Sequence, residues 1–367
     1  MYVGYLRFKS DSVQTRKLNA IAHSYHGMNL IVFEIKDIDF ENKTVTGKCY
    51  SEKGWKTKTV PLPKIINNMP FIKANSKAYN FLEQNSKLMF HYFGGKLHVE
   101  NLLKKNNLLN GLYIPSIDEI TEENVLDMLS KHNKILFKPI NSTMGRGIFA
   151  LEKENDELKY IEQKKVRKIN KEELLQLIDK TKSNYIAQKY LNSKTEKGLP
   201  FDIRVHFEKN GKGKWVRVQT YARVSTNNNL VSNIAKGGSV IRTGLFLKSM
   251  YGEEKGDELL QKLKNHLEGF PEAFEKLYDF DIGTIALDLG LDNNNFFLFE
   301  INSFPGGTFA RGEVAMLRAA YTKHLIKKEN NKIELKTRDQ LLNENDKLRS
   351  EIETLKKEIS IIKKDNS

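Results

Sequence analysis

Asp288-Leu-Gly-Leu-Asp-Asn-Asn-Asn-Phe-Phe-Leu-Phe-Glu300-Ile-Asn302-Ser-Phe-Pro-Gly-Gly307 reads as two strands joined by a turn and followed by a glycine-rich exit. The run from Gly283 to Leu289 reaches the turn formers Asp292 to Asn295, and Phe296 to Ile301 is aromatic and β-branched, the signature of a hairpin. Alternation along a strand points Glu300 and Asn302 the same way, and pairing across the turn brings Asp288 beside them. Two carboxylates and an amide oxygen suit Mg²⁺ carrying substrate phosphates. A surface hairpin with ordinary polar ends is the alternative.

Working outward, 367 residues suggest two to three domains and a sizeable core. The single cysteine, Cys49, excludes an intrachain disulfide framework or a cysteine-based zinc site and fits a reducing interior. There is no apolar run of about 18 residues, and Met1 to Lys9 is too mixed for a signal peptide, so the expected setting is cytoplasmic, with no membrane partner. The formal charge of +14 invites a nucleic-acid reading. Lysines spread along the whole chain, with no zinc-finger spacing or basic block, argue instead for a solvated lysine-rich surface.

Tyr2 to Phe8, Thr15 to His26 and Asn29 to Ile35 give a β-α-β opening, hence a parallel sheet. A hairpin around Glu52-Lys-Gly follows, and residues 1–75 are expected to form a small α/β domain. No dinucleotide-binding glycine pattern follows the first strand. Residues 76–111 read as a helical connector with Lys87 at the head of an apolar helical stretch, where a solvated lysine is the plain alternative. Next come a strand ending in Lys138-Pro139 and the loop Asn141-Ser142-Thr-Met-Gly145-Arg-Gly147. Backbone amides freed by glycine beside a cation cradle phosphate oxygens, although a glycine hairpin turn explains the same residues and no Walker A string occurs. Tyr185 to Leu191 is a strand containing Gln188, Lys189 and Tyr190. Asp202 and Arg204 share a face of the strand Phe201 to Phe207, either with a ligand or as a structural ion pair. Trp215 to Ala222, ending at Arg223, is its antiparallel neighbour, and Ser232-Asn233 opens another polar, glycine-rich stretch.

Taken together, strand-Lys-Pro, glycine loop, strand-Gln-Lys-Tyr-Leu, Asp-x-Arg-Val, Ser-Asn-x3-Gly-Gly, Asp and Glu-x-Asn-x-x-Pro-Gly stand in an order that resembles the ATP-grasp superfamily of carboxylate–amine ligases. It looks closest to the YheC/YheD family of endospore coat-associated proteins, over residues 1 to about 325. The resemblance implies an α/β (α+β) ATP-grasp fold with a small lobe at 112–191 and a large lobe at 192–328. Lys87 and Lys138 would hold ATP phosphates, under a loop containing Ser142, Gly145 and Gly147. Gln188, Lys189, Tyr190 and Leu191 would face adenine, with backbone groups of Lys189 and Leu191 reading its edge, and Asp202 would meet the ribose. Asp288, Glu300 and Asn302 would hold two Mg²⁺ ions, with Mn²⁺ as a substitute. Arg204, Arg223 and Asn233 would stabilise the transferred phosphoryl group or the acyl-phosphate oxyanion. The implied reaction joins a carboxylate and an amine on a small molecule, peptide or protein. The alternative is a structural or interaction protein of the spore coat on the same scaffold. The phosphate loop departs from the family pattern in being poorer in glycine.

Residues 333–364 carry a separate pattern. Leu341, Leu348, Leu355 and Ile362 recur every seven residues, with Asn345, Ile352 and Ile359 between them. Glu344, Glu351 and Glu358 at g precede Arg349, Lys356 and Lys363 at e, which together predict self-association as a parallel two-stranded coiled coil. An amphipathic helix docked on its own domain is the alternative.

Overall fold

The computed structural model describes residues 1–7, 12–70, 76–117, 119–140, 147–163, 165–226, 238–306 and 309–365. The expected loop residues Ser142 and Gly145, and Asn233, lie outside the described residues.

The opening unit follows its hydrophobic pattern. β1 (Tyr2–Leu6), α1 (Val13–Tyr25) and β2 (Asn29–Phe33) form the expected β-α-β unit, with β1 and β2 parallel. Ser12 caps α1 by accepting from the Thr15 amide. β3 (Ile38–Asp39), β4 (Thr44–Ser51), β5 (Gly54–Pro61) and β6 (Ile65–Asn67) follow, and β4 and β5 make the expected hairpin, turning at Glu52 and Lys53. The connector expected over 76–111 is instead divided. α2 (Ser76–Asn85) and β7 (Lys87–Leu88) complete the first sheet, because β7 pairs in parallel with β6 and buries Leu82 and Leu88 in that core. Lys87 is therefore on a strand, not a helix. The sheet order is β3-β4-β2-β1-β6-β7, with β5 on β4. α3 (Lys96–Lys105) belongs elsewhere, since Val99 and Leu103 pack into the core of the large lobe.

The small lobe contains β8 (Ser116–Ile117), α4 (Glu122–His132), β9 (Lys134–Pro139), β10 (Phe149–Glu154), β11 (Glu157–Glu162), β12 (Lys165–Ile169), α5 (Lys171–Thr181) and β13 (Tyr185–Lys189). Its sheet runs β12-β11-β10-β9-β13-β8. Ile135 and Phe137 of β9 pack against α4 and α5 through Val125, Leu129, Leu174 and Ile178. Alternation sends Leu136 and Lys138 to the other face, where Gln188 stands directly across from Leu136.

The large lobe has β14 (Phe201–Lys209), β15 (Trp215–Val224), β16 (Ser239–Arg242), α6 (Thr243–Tyr251), α7 (Glu253–Leu267), α8 (Phe270–Glu275), β17 (Thr284–Asp292) and β18 (Asn295–Asn302). Its antiparallel sheet runs β16-β15-β14-β17-β18. Phe201, Ile203, Val205 and Phe207 of β14 join Ile285, Leu287, Leu289 and Leu291 of β17 in one core with residues of α6, α7 and α8. Asp202, Arg204, His206 and Glu208 occupy the opposite face.

α9 (Arg311–Asp365) is one unbroken helix of 55 residues. Its small residues Ala315 and Ala319 pack closely on Ala22 of α1, and Tyr321 and Leu325 join Ile65, Met89 and Phe90. Among the described residues, no helix is long and apolar enough to cross a membrane.

Arg318 fastens α9 to the large lobe. Its Nε and Nη2 donate to Glu208 Oε1 at 3.0 and 2.6 Å, and Glu208, 1% exposed, also meets His206 and Thr284. Burial alone would raise the Glu208 pKa, but Arg318 and His206 outweigh it and hold the carboxyl below its ordinary range. Arg318→Leu leaves that carboxylate buried without its main counter-charge, so urea denaturation at neutral pH should lose about 3–5 kcal/mol of stability. A depressed carboxyl stabilises above its unfolded pKa and an orphaned one destabilises there, so the deficit should shrink as pH falls toward 4. An unchanged denaturation midpoint at neutral pH would rule out this account of the helix anchor.

Candidate functional site

The hairpin of β17 and β18 turns at Asn293 and Asn294, whose φ values of 48° and 61° are the left-handed pair of a type I′ turn. From the turn the register runs Asp292↔Asn295 to Leu289↔Leu298 and then shifts, so that Asp288 faces Glu300 and Ala286 faces Asn302. Phe299 is the extra residue of this β-bulge. Without it, Glu300 would stand opposite Leu287 and point into the apolar core, because a one-residue slip reverses faces. Gly290 makes room for it, since a Cβ there would lie 2.5 Å from Phe299 Cζ. Lys138 Nζ sits 5.5 Å from the centre of the Phe299 ring.

Register then lays out the charged groups. Tyr221, Arg204, Asp288 and Glu300 are consecutive cross-strand neighbours over β15, β14, β17 and β18. Arg204 donates from Nε and Nη2 to the two oxygens of Asp288, both at 2.6 Å. Arg223 is shared, with Nη2 lying 3.0 Å from Asp288 Oδ2 and 2.8 Å from Asp202 Oδ2, and its Nε donates to Asp202 Oδ1. Asn302 Nδ2 donates to Asp288 Oδ2 at 3.2 Å. Burial would raise Asp288, but Arg204 and Arg223 prevail and hold it below the ordinary carboxylate range. Burial would lower the two guanidinium groups, but their carboxylate partners raise both.

α3 completes the cluster from the other side. Lys96 Nζ is 2.7 Å from Glu300 Oε2. Burial, and secondarily Lys96, bring Lys138 down to about 8, against the pull of Glu300. A cavity of about 330 Å³ opens here, lined among others by Lys96, Glu100, Tyr113, Gln188, Leu298 and Asn302. It lies between the Gln188 strand of the small lobe and β18 of the large lobe.

Asp288, Glu300, Asn302, Arg204, Arg223 and Lys138 are thus brought to one place. Along β13, the Lys189 amide donates to Pro115 O at 2.8 Å. Its ammonium lies 3.4 Å from Asp292. The Tyr190 ring is covered by Lys134, Leu191 is buried, and Gly147 has φ 71° beside Pro139. Two expected residues have other partners here. Asp202 is 4% exposed with both oxygens on Arg223, an ion pair across the sheet. Lys87 is tied to Asp281 at 3.0 Å, and Asp281 precedes the start of β17, so Lys87 does not join the cluster. Lys96 is the lysine that meets Glu300 instead. The signal was present in Gly94-Gly95-Lys96, a lysine on the first turn of a helix, but the glycines read there only as an interruption. Phe299 carried no signal of its own.

The oxygen set can accept a hard cation. Asp288 Oδ1, Glu300 Oε1 and Asn302 Oδ1 each keep acceptor capacity after the contacts above. No three His, Cys, Asp or Glu side chains among the described residues gather as a metal site. Two acids and an amide suit an ion that takes its remaining ligands from phosphate and water.

Three comparisons bear on this geometry. The family model described as YheC/D like ATP-grasp matches residues 85–355. Endospore coat-associated protein YheD of Bacillus subtilis (strain 168) is 28% identical over 342 residues, covering 82% of this chain and 69% of that protein. YheC of the same organism is 24% identical over 300 residues, covering 76% and 81%. Among solved structures, N5-carboxyaminoimidazole synthetase from Staphylococcus aureus superposes with a TM-score of 0.51 at 12% identity, over 87% of this chain and 77% of that one. Its complex with ADP gives 0.50 at 13% identity over the same shares. The two lobes are those of an ATP-grasp fold.

The bulge gives a direct test of the hairpin geometry. Gly290→Ala should cost about 1–3 kcal/mol in urea denaturation by overpacking against Phe299. The double variant Gly290→Ala/Phe299→Leu should recover most of it. A fully additive double variant would mean that the ring does not lie over Gly290.

Proposed function

Because the chain belongs to the YheC/D-like ATP-grasp family, we propose that it is a Mg²⁺-ATP-dependent ligase joining a carboxylate to an amine through an acyl phosphate. The observation that carries this reading is the convergence of Asp288, Glu300 and Asn302 with Arg204, Arg223, Lys96 and Lys138 beside a cavity between the lobes. Adenine would lie in that cavity between the Gln188 strand and Leu298. Lys96 and Lys138 would bind the β- and γ-phosphate oxygens.

A carboxylate at neutral pH is a poor electrophile. In the proposed sequence its oxygen attacks the γ-phosphorus, the bond to the β-bridging oxygen breaks, and ADP leaves. The amine then attacks the acyl carbon and phosphate departs, taking the C–O bond electrons, while the amine loses a proton. Asp288, Glu300 and Asn302 would hold Mg²⁺, which when bound neutralises phosphate charge. Arg204 and Arg223, held in place by Asp288 and Asp202, would lend fixed guanidinium charge to the spreading negative charge of the transfer step. Two lobes closing on the cavity would keep water from the acyl phosphate. The carboxylate and amine belong to a small molecule, a peptide or a protein.

The names of the curated relatives favour a second reading, an ATP-grasp scaffold serving as a structural or interaction protein of the endospore coat. Thermal unfolding separates the two. With Mg²⁺ and a non-hydrolysable ATP analogue at about a hundred times Kd, the wild type should gain roughly 3–4 °C, and Glu300→Ala should lose the Mg²⁺-dependent part. No shift in the wild type would remove the enzyme reading. Incubation with Mg²⁺-ATP and cell extract, followed by mass spectrometry, should then reveal a condensed product that Lys138→Ala does not form.

The Lys138 pKa of about 8 predicts a pH dependence. Phosphate contact favours the charged amine, so nucleotide binding takes up a proton and weakens as pH rises through 8. Calorimetry should find roughly tenfold weaker binding at pH 9.5 than at pH 7.5, and Lys138→Arg should flatten that profile. Equal slopes for both proteins would reject Lys138 as a phosphate ligand.

A further inference from the structure

We propose that the distal part of α9 is a parallel dimerisation coil whose partner is a second copy of this chain. The first turns of α9 are packed as far as Ile326, and Lys328 Nζ reaches Asp281 at 3.0 Å. From Asn331 to Glu353 every described side chain is exposed. Leu335, Leu341, Leu342 and Leu348 are each more than half exposed. The helix is therefore not docked on its own body along this stretch, and its leucines face solvent in one copy.

The charge pattern selects the partner. In a parallel pair, each g residue meets the e residue of the following heptad on the other helix. Glu344 then meets Arg349, Glu351 meets Lys356 and Glu358 meets Lys363, with opposite signs at every level and in both directions. An antiparallel pair sets g against g and e against e, so glutamates meet glutamates and cations meet cations. Within the heptads from Leu341 to Ile362, Asn345 is the one polar a position, and once buried in a seam its amide pairs with the asparagine of an in-register second strand, which favours two chains over three. The surface is complementary to itself, and so the occupant is another copy. This inference is independent of the ligase reading.

The test uses the full chain. Light scattering should give about twice the 42.4 kDa chain mass for the wild type at concentrations where three heptads suffice. Deleting 333–365 should give the single-chain mass with an unchanged thermal transition, since the described side chains there make no body contacts. Reversing Glu344, Glu351 and Glu358 to Lys should also give single chains. Mixing that protein with the Arg349→Glu/Lys356→Glu/Lys363→Glu protein should restore the double mass. Direction is read by Leu348→Cys, because the native Cys49 is buried. A parallel coil brings the introduced thiol against its counterpart, so mild oxidation should give a covalent dimer. A wild type of single-chain mass at every concentration overturns the proposal. So does a dimer that survives the deletion, or one that Leu348→Cys fails to link.

Discussion

Asp202, Arg204, His206 and Glu208 project from one face of β14, and Asp202, His206 and Glu208 are each less than 5% exposed. Charges closed off from water need partners, or folding fails. Every neighbouring element meets that need in its own way. β15 brings Arg223 to Asp202, β17 brings Asp288 to Arg204, and α9 brings Arg318 to Glu208. The placement of the hairpin and of the long helix follows from satisfying this row of charges, while the opposite face of the same strand is held by ordinary apolar packing. A strand that alternates so strictly between core and charge has only one way to lie.

The same pairing holds the charged cluster of the candidate site in place. Asp288 is held by two guanidinium groups and an amide, and Glu300 by Lys96. The carboxylates need neither an ion nor a nucleotide to be tolerated in a half-closed place. Their orientation is fixed by the sheet rather than by a loop, so little side-chain freedom remains to be lost on binding. Phe304, two residues beyond Asn302, continues this rigidity, since the guanidinium groups of Arg7 and Arg318 lie 5.3 and 5.1 Å from the centre of its ring. The exit of the hairpin is thereby clamped to the first sheet and to α9 at once.

Much of this was legible in the residues themselves. Asn293-Asn294 announced a tight turn, and Asp202 and Arg204 on one face of the strand Phe201 to Phe207 announced charge that needed partners. What local pattern could not announce was which residues face each other over long separations. Nothing in Phe296-Phe297-Leu298-Phe299 marks Phe299 as the extra residue, yet a simple two-residue hairpin would have set Asp288 against Phe299. The partner of Asp202 could not be named without the register of β15. Lys87 misled because a lysine beside an apolar run looks alike at the start of a strand and at the start of a helix. Only the parallel pairing of β7 with β6 decides between them.

The unbroken course of α9 has a mechanical consequence. The helix begins at Arg311, nine residues after Asn302, and its anchor at Arg318 rests on the same strand that carries Arg204. Its 55 residues span about 80 Å at 1.5 Å per residue. It therefore acts as a lever with its short arm on the floor of the cleft. A tilt of about 3° at the anchored end displaces the far tip by roughly 4 Å at that length. A movement of the sheet too small to alter a single hydrogen bond would thus be magnified at the distant end of a helix that stayed straight, and a load applied there would act back on the row of charges on β14.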